Sequence, residues 1–408
     1  METVKVLQVI SNLENGGAQE VVRTLVKNLA AKNCLPVVCT FKDGPIRRGI
    51  EELGIDVEVI DLPRRSVVAF PLFVIDMVRI CLALAELIRK YDIDIVQTHL
   101  SGSINFLTLI LPYITNLHAV LWTFHSVNFL PSESKVSRFH WLLKPKRYVH
   151  RLMYRVSSQS VCRLIAVSNQ VRESMIERIG PVEEKITVIC NGVDVARYQH
   201  PVDRDHVRQE LGFDPEARLL ITVGTLKREK GHRYLLEAGT EIVCQHPDTY
   251  FMFVGDGKLQ SELRAQADAY GLSGRVRFLG TRQDVDQLLA VSDIFVLPSL
   301  WEGMSMALLE AMAAAKPIVA TAVSGTRQVV IHDETGLLVP AGDASGLTQA
   351  VVTLLSEPAR ARAMGEAARQ RVKEHFSMEK QAAEYLALYG QVMEDGDRMA
   401  AEVNKGYA

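Results

Sequence analysis

The stretch Asp293-Ile-Phe-Val-Leu-Pro-Ser-Leu-Trp-Glu302-Gly-Met-Ser305-Met-Ala-Leu-Leu-Glu310-Ala-Met-Ala313 decides how the chain reads. Ile294 to Leu297 is a short unbroken apolar run ended by Pro298, the pattern of a strand buried on both faces in a parallel sheet. Strong helix formers follow from Met306, with Ser305 before them as an N-cap. The loop between carries Glu302 and Gly303. In open α/β sheets ligands bind at the carboxyl ends of strands, and the free amides and positive dipole of a helix start suit a phosphate. Glu302 and Glu310 stand eight positions apart, ~12 Å on a continuous helix, too far to share one proton or one metal ion. Their spacing fits two ends of an elongated, polyhydroxylated ligand. The plainer alternative is a solvated loop glutamate and a helix-surface glutamate. Against it, Glu310 lies within Ala-Leu-Leu-Glu-Ala-Met-Ala-Ala-Ala, where a buried carboxylate needs a partner. The stretch alone leaves both readings open.

Working outward, 408 residues are too many for one ordinary core, and two domains are expected. With 23% charged and 48% apolar residues the composition is that of a soluble globular protein. A net charge of −2 gives no whole-protein case for nucleic acid. The halves differ, however: residues 1–195 hold 23 basic and 19 acidic side chains, the remainder 23 and 29. The first half is therefore expected to meet something anionic. Cys34, Cys39, Cys81, Cys162, Cys190 and Cys244 form no Cys-x-x-Cys pair and read as buried free thiols of a reducing compartment. Val4 to Ile10 reads as a strand from the outset, so no signal peptide is expected, and the longest apolar segments are too interrupted to span a membrane.

In chain order, Lys5–Ile10 is a first strand, followed by Asn12, Gly16 and Gly17 and then a helix to about Ala31. A diglycine between strand and helix admits a ligand close to the backbone, or simply makes a tight turn. Pro36–Thr40 and Asp56–Ile60 are further strands, and 71–91 a helix. Ile93–Thr98 leads to His99, and Val120–Phe124 to His125, so two histidines stand at the carboxyl ends of strands. Arg163–Ser168 and Ile186–Cys190 complete the first half. Asn191-Gly-Val-Asp194 is a turn by its own chemistry. Residues 198–216, polar and containing Pro201 and Pro215, read as linker plus a short helix. The alternation then restarts: Leu219–Val223 leads to Gly224-Thr225-Leu-Lys227-Arg228-Glu-Lys230-Gly231. A lysine beside a glycine at a helix start is well placed for phosphate charge. Phe251–Gly257, with Gly255, and Val276–Arg282 are two more strand–loop pairs. Pro317–Thr321, Gly325 and Thr335–Pro340 follow.

Glu-x7-Glu after Asp-Ile-Phe-Val-Leu-Pro-Ser resembles the donor-site signature of retaining glycosyltransferases of family four. The resemblance runs from residue 5 to about 390, with many motifs in order. It implies an α/β GT-B fold, two Rossmann-like domains whose parallel sheets face a central cleft. The expected bounds are 1–195 for an acceptor-binding domain, 196–216 for a linker and 217–375 for a nucleotide-sugar-binding domain, with a helix at about 376–408 packing back on the first. His125 then matches an active-site histidine near the reacting sugar carbon, acting with Glu302 and Lys230. Gly16, Gly17, Gly224, Thr225, Lys230, Gly255, Thr281, Arg282, Glu302, Gly303, Met304, Ser305, Met306 and Glu310 would hold the donor, Glu310 at the ribose and Glu302 at the sugar. His99 and Asn12 are candidates for the acceptor. Two positions depart from the family's pattern. Thr225 stands where many members have arginine, with Lys227 or Arg228 the candidates to replace its charge, and Gln328 stands where glutamate is usual.

The resemblance implies transfer of a sugar, from a UDP-sugar in preference, to a hydroxyl of a lipid-linked or polysaccharide-type acceptor. Configuration would be kept, with no metal or other cofactor. An epimerase or phosphorylase of the same fold, or a silent donor-binding scaffold, stays open as an alternative. Metal-dependent transfer would want an Asp-x-Asp pair. Asp92-Ile-Asp94 begins a strand at the end away from the site, and Asp395-Gly-Asp397 follows the last helix, so both read as solvated caps. No Gly-x-Gly-x-x-Gly, Walker or Gly-x-Ser-x-Gly pattern points to a dinucleotide, ATP or a serine nucleophile. Finally, residues 126–160 hold Lys135, Arg138, Lys144, Lys146, Arg147, Arg151 and Arg155 against Glu133, interleaved with Trp141 and other aromatics. Arg138, Trp141, Lys144, Lys146, Arg147 and Arg151 are therefore expected to face an anionic membrane. A cytoplasmic protein peripheral to the inner face of the plasma membrane fits this pattern, and nucleic acid does not, given the acidic second half.

Overall fold

The computed structural model describes residues 3–61, 70–99, 103–126, 151–158, 160–180 and 182–406. The chain divides into two compact units, residues 1–190 with 379–408, and 191–378. Residues 196–216, expected as a linker, therefore belong to the second unit. They are ordered by a 3-10 turn at Ala196–Gln199 and a helix at Arg204–Glu210. Asp203 caps that helix by accepting from the His206 amide at 3.1 Å.

The first unit is built on a parallel sheet of β1 (Val4–Ile10), β2 (Cys34–Thr40), β3 (Val57–Val59), β4 (Ile95–Thr98), β5 (Ala119–Phe124), β6 (Arg163–Ala166) and β7 (Ile186–Val188). Their order is β3-β2-β1-β4-β5-β6-β7. Every residue of β4 and β5 is buried, as covering helices on both faces require. The helix Met378–Gly406 belongs to this unit: Tyr385, Leu388, Tyr389 and Val392 pack in one core with Val6, Leu25, Ile95, Leu121 and Ile165. Each such buried side chain contributes about 1.5–3 kcal/mol.

The second unit repeats the plan with β8 (Arg218–Val223), β9 (Thr249–Val254), β10 (Val276–Gly280), β11 (Ile294–Leu297), β12 (Ile318–Thr321) and β13 (Leu337–Val339). All are parallel, in the order β10-β9-β8-β11-β12-β13. In each sheet the order reverses once, between β1 and β4 and between β8 and β11. Such a switch point opens a crevice beyond the carboxyl ends of the strands. Gly16, Gly17 and His99 follow β1 and β4. The segment 224–231 and the opening stretch follow β8 and β11.

Asp92, Asp94 and Asp395 of the two Asp-x-Asp pairs have structural work. Asp94 accepts from the Lys5 amide at 2.8 Å and Asp92 pairs with the Lys5 ammonium at 2.7 Å, at the amino end of β4 opposite His99. Asp395 lies inside the helix Met378–Gly406, not after the last helix as expected, and pairs with Arg163. All six cysteines are free, but Cys244 is exposed, contrary to the expected burial. No helix among the described residues is long and apolar enough to cross a membrane.

Candidate active site

In the second unit the sequence builds its site from two loop–helix junctions. After β8 the chain turns through a 3-10 segment, Arg228–Lys230, and Gly231 (φ 64°) starts the helix His232–Gln245. Gly231 must be glycine twice over: its backbone is left-handed, and a Cβ there would lie 1.9 Å from the Pro298 carbonyl oxygen. That close approach joins the two junctions, as does the Leu300 amide donating to the Glu229 carbonyl at 2.7 Å. The result brings Lys230 to Glu302. The Lys230 ammonium donates to Glu302 Oε1 at 2.6 Å, and Ser299 Oγ donates to the same oxygen at 2.7 Å. Glu302 is only 8% exposed, so these two charge-assisted bonds fix its orientation. Among the described residues Oε2 receives no hydrogen bond and stays available as an acceptor. Thr321, from the end of β12, ties down the Ser299 carbonyl.

Ser305 caps the helix Met306–Ala313, accepting from the Leu308 amide at 3.4 Å. The first helical amides, at Met306 and Ala307, have no carbonyl of their own helix to meet. The helix Ser324–Val329 backs this loop, because Gly325 carries no side chain: a Cβ there would lie 2.4 Å from the Gly303 carbonyl oxygen. Asn191 donates to the Met304 carbonyl at 3.3 Å. Glu310 is half-buried on the same helix. Thr225, Lys227 and Arg228 are exposed.

Other expected donor contacts have a different occupation. The Gly224 amide donates to the Val254 carbonyl and the Gly255 amide to the Gly280 carbonyl, so both are spent in joining strand ends. Their role is to shape the loop, since a Cβ on Gly255 would strike the Gly224 carbonyl oxygen at 2.3 Å. Thr281 donates its amide and hydroxyl to Asp256 at 2.8 and 2.5 Å. Arg282 forms a forked pair with Asp284, which holds that carboxyl below its usual range. Asp256 thus organises the β9–β10 loops, a part that only its place in Gly255-Asp-Gly257 could have suggested.

In the first unit Gly16 is extended at φ −174° and heads the helix Gly17–Ala30, while a Cβ on Gly17 would meet nothing within 4 Å. The fold therefore does not demand glycine at 17. Asn12, expected at the acceptor, is used inside the loop instead: its Oδ1 accepts from the Glu14 amide at 3.1 Å and Gln19 Nε2 at 2.8 Å. His99 is also committed internally, Nδ1 lying 2.9 Å from His125 Nε2 and Nε2 lying 2.6 Å from Gln8 Oε1. Neither ring nitrogen of His99 remains for an acceptor. His125 keeps one: among the described residues its Nδ1 has no hydrogen-bond partner. Arg151 donates to the Glu177 carbonyl at 2.9 Å. Arg138, Trp141, Lys144, Lys146 and Arg147 lie outside the described residues.

Comparison with known proteins accounts for both units. Residues 203–371 match the family model described as glycosyl transferases group 1, and residues 15–197 match Glycosyltransferase Family 4. The chain is 28% identical over 313 residues to an Escherichia coli UDP-Gal:alpha-D-GlcNAc-diphosphoundecaprenol alpha-1,3-galactosyltransferase, covering 76% of this chain and 78% of the relative. It is 31% identical over 230 residues to a Bacillus anthracis N-acetyl-alpha-D-glucosaminyl L-malate synthase, covering 56% of this chain and 60% of that one. Its fold matches a crystal structure of Anabaena Alr3699/HepE in complex with UDP-glucose, with a TM-score of 0.76 at 23% identity over 94% of this chain and 99% of that one. With a family model on each unit, the chain belongs to the group 1, family 4 glycosyltransferases of GT-B fold.

Proposed function

We propose that the protein moves a sugar from a nucleotide-diphosphate sugar, UDP-linked in preference, to a hydroxyl of a lipid-linked or polysaccharide-type acceptor, with retention and without a metal ion. One observation carries the reading. Glu302 is buried, fixed through Oε1 by Lys230 and Ser299, and left with Oε2 open beside a helix start. That is a built acceptor for a sugar hydroxyl next to a cation and free amides suited to a diphosphate. The E. coli relative is named for a UDP-sugar and a lipid diphosphate acceptor. In this reading Glu310 accepts from the ribose hydroxyls. Lys230 and the amides at 303–306 stabilise the leaving diphosphate. The acceptor oxygen bonds to the sugar's anomeric carbon on the face the phosphate leaves. The anomeric carbon–oxygen bond to the phosphate breaks, and the acceptor's hydroxyl proton passes to that phosphate oxygen. A double displacement would instead need a second carboxylate ~5 Å across the bond.

Fixed cations and a helix terminus supply the charge that a divalent ion otherwise would. Transfer from labelled donor is accordingly expected to persist in EDTA. Loss in EDTA with recovery on Mg²⁺ or Mn²⁺ would overturn this part of the reading.

An acceptor held in a membrane is favoured by a specific surface. The helix Phe70–Tyr91 exposes Leu72, Val74, Ile75, Val78 and Leu82, with Ile110 and Tyr113 alongside. Contiguous exposed apolar groups of this kind mark interaction surfaces, and the basic run at 126–160 would add ~1 kcal/mol per charge at an anionic headgroup layer. Sedimentation is expected with anionic liposomes at low salt and to weaken at high salt. Equal binding to neutral liposomes, or none to anionic ones, would contradict it.

A further inference from the structure

The interior of the first unit holds a chain of polar side chains that neither the core nor the donor site explains. Tyr389, on the C-terminal helix, donates its hydroxyl to Gln97 Oε1. Gln97 Nε2 donates to Thr123 Oγ1 at 2.8 Å, and Gln8 Nε2 donates to the Tyr389 oxygen at 3.1 Å. Gln8 Oε1 then faces His99 Nε2 at 2.6 Å, and His99 Nδ1 faces His125 Nε2 at 2.9 Å. All but His125 are buried, where an unmade hydrogen bond is costly and the proton positions must be mutually consistent.

They have one consistent solution in this arrangement. With its Nε2 turned to Tyr389, Gln8 offers an amide oxygen, which carries no proton, so His99 Nε2 must donate. A neutral imidazole has one N–H, so His99 Nδ1 is a bare acceptor and His125 Nε2 must be the donor to it. His125 Nδ1 is left as a bare acceptor, buried and unpartnered among the described residues. Both rings are neutral near pH 7, because burial holds His99 well below the usual histidine range and His125 down to about 4.

We propose that His99 is a positioning residue, locked by Gln8, Gln97 and Tyr389, that fixes His125 as the Nε2–H tautomer so that its Nδ1 accepts a hydrogen bond from a sugar hydroxyl. The ligand half of this statement rests on the glycosyltransferase reading, and the tautomer half does not. It also gives the C-terminal helix a function, since Tyr389 links Gln8 to Gln97 within the chain of bonds.

The test is ¹⁵N NMR of the histidine rings in the full-length protein without substrate, the His125 signals being identified by their loss in His125→Gln. His125 is expected as Nε2–H at neutral pH, and the Nδ1–H form in the wild type would overturn the proposal whether or not any variant folds. His99→Phe removes the acceptor, and His125 should become a tautomer mixture with kcat down about tenfold or more and donor KM little changed. His99→Asn, whose carbonyl can stand near the lost Nδ1, should retain the single tautomer and recover most of the rate. An unchanged tautomer in a folded His99→Phe would also overturn the proposal. A correct tautomer with no transfer from any sugar nucleotide would count against the proposed function and leave the positioning intact.

Discussion

Lys230→Ala is expected to lower kcat by about 10²–10³ with the second unit still folded, the usual loss when one fixed donor to a developing anion is removed. The ammonium stands 2.6 Å from Glu302 Oε1. It stands just before the start of the helix His232–Gln245. In the proposed reaction it neutralises charge that grows on the leaving diphosphate, so the effect falls on kcat more than on donor KM. Ser299 still donates to Glu302 in this variant, which limits the structural damage. Turnover within threefold of wild type, roughly 0.7 kcal/mol, in a folded Lys230→Ala would remove the assignment.

The largest stability effect is expected at Arg208. Its guanidinium donates to the carbonyls of Pro215, Ala217 and Val291 at 2.7, 2.8 and 2.9 Å, and to Asp293 at 3.1 Å. The side chain is 7% exposed. Removing it leaves three carbonyls without their donor, at about 1–3 kcal/mol for each one that stays buried, while Asp293 keeps Arg204 as a partner at 3.7 Å. Asp293 also accepts from the Leu219 amide, so the loss reaches the starts of β8 and β11 and therefore the site loops at their far ends. Arg208→Ala should unfold the second unit at markedly lower urea, and Arg208→Lys should recover only part, since one ammonium cannot span a planar fork of four acceptors. A wild-type urea midpoint for Arg208→Ala would show that the fork carries no such weight.

The site was legible where function needs residue types at fixed spacing on one loop. The β11 junction shows its strand, its cap at Ser305 and its two glutamates directly in the string, because local periodicity and capping are local physics. Contacts between distant segments were not legible. Ser299 meets Glu302 within one loop, but Lys230 reaches it across 72 positions, and only the sheet order says that β8 and β11 are neighbours. The glycines at 224 and 255 suggested ligand contact, and their amides turned out to be consumed in joining strand ends. Residues 198–216 looked like linker because they are polar and carry two prolines; Arg208 was hidden there, since a buried arginine reads like an exposed one until its four acceptors are seen. His99 and Asn12 sit where ligand residues belong, at strand ends, yet His99 bonds Gln8 and His125, and Asn12 bonds Glu14 and Gln19. Tyr389 had no readable link to Gln97, 292 positions away.

Calorimetric titration of Glu310→Gln decides whether the segment 302–310 is a donor site. A thermal-shift screen of UDP-, GDP- and ADP-sugars first selects the donor, since a ligand at a hundredfold its Kd stabilises by ~2.7 kcal/mol. If Glu310 holds the ribose through charge-assisted hydrogen bonds, the variant should fold as wild type and lose about 1.5–3 kcal/mol of donor affinity, roughly ten- to a hundredfold in Kd. An unaltered Kd for that donor in folded Glu310→Gln would contradict the central claim.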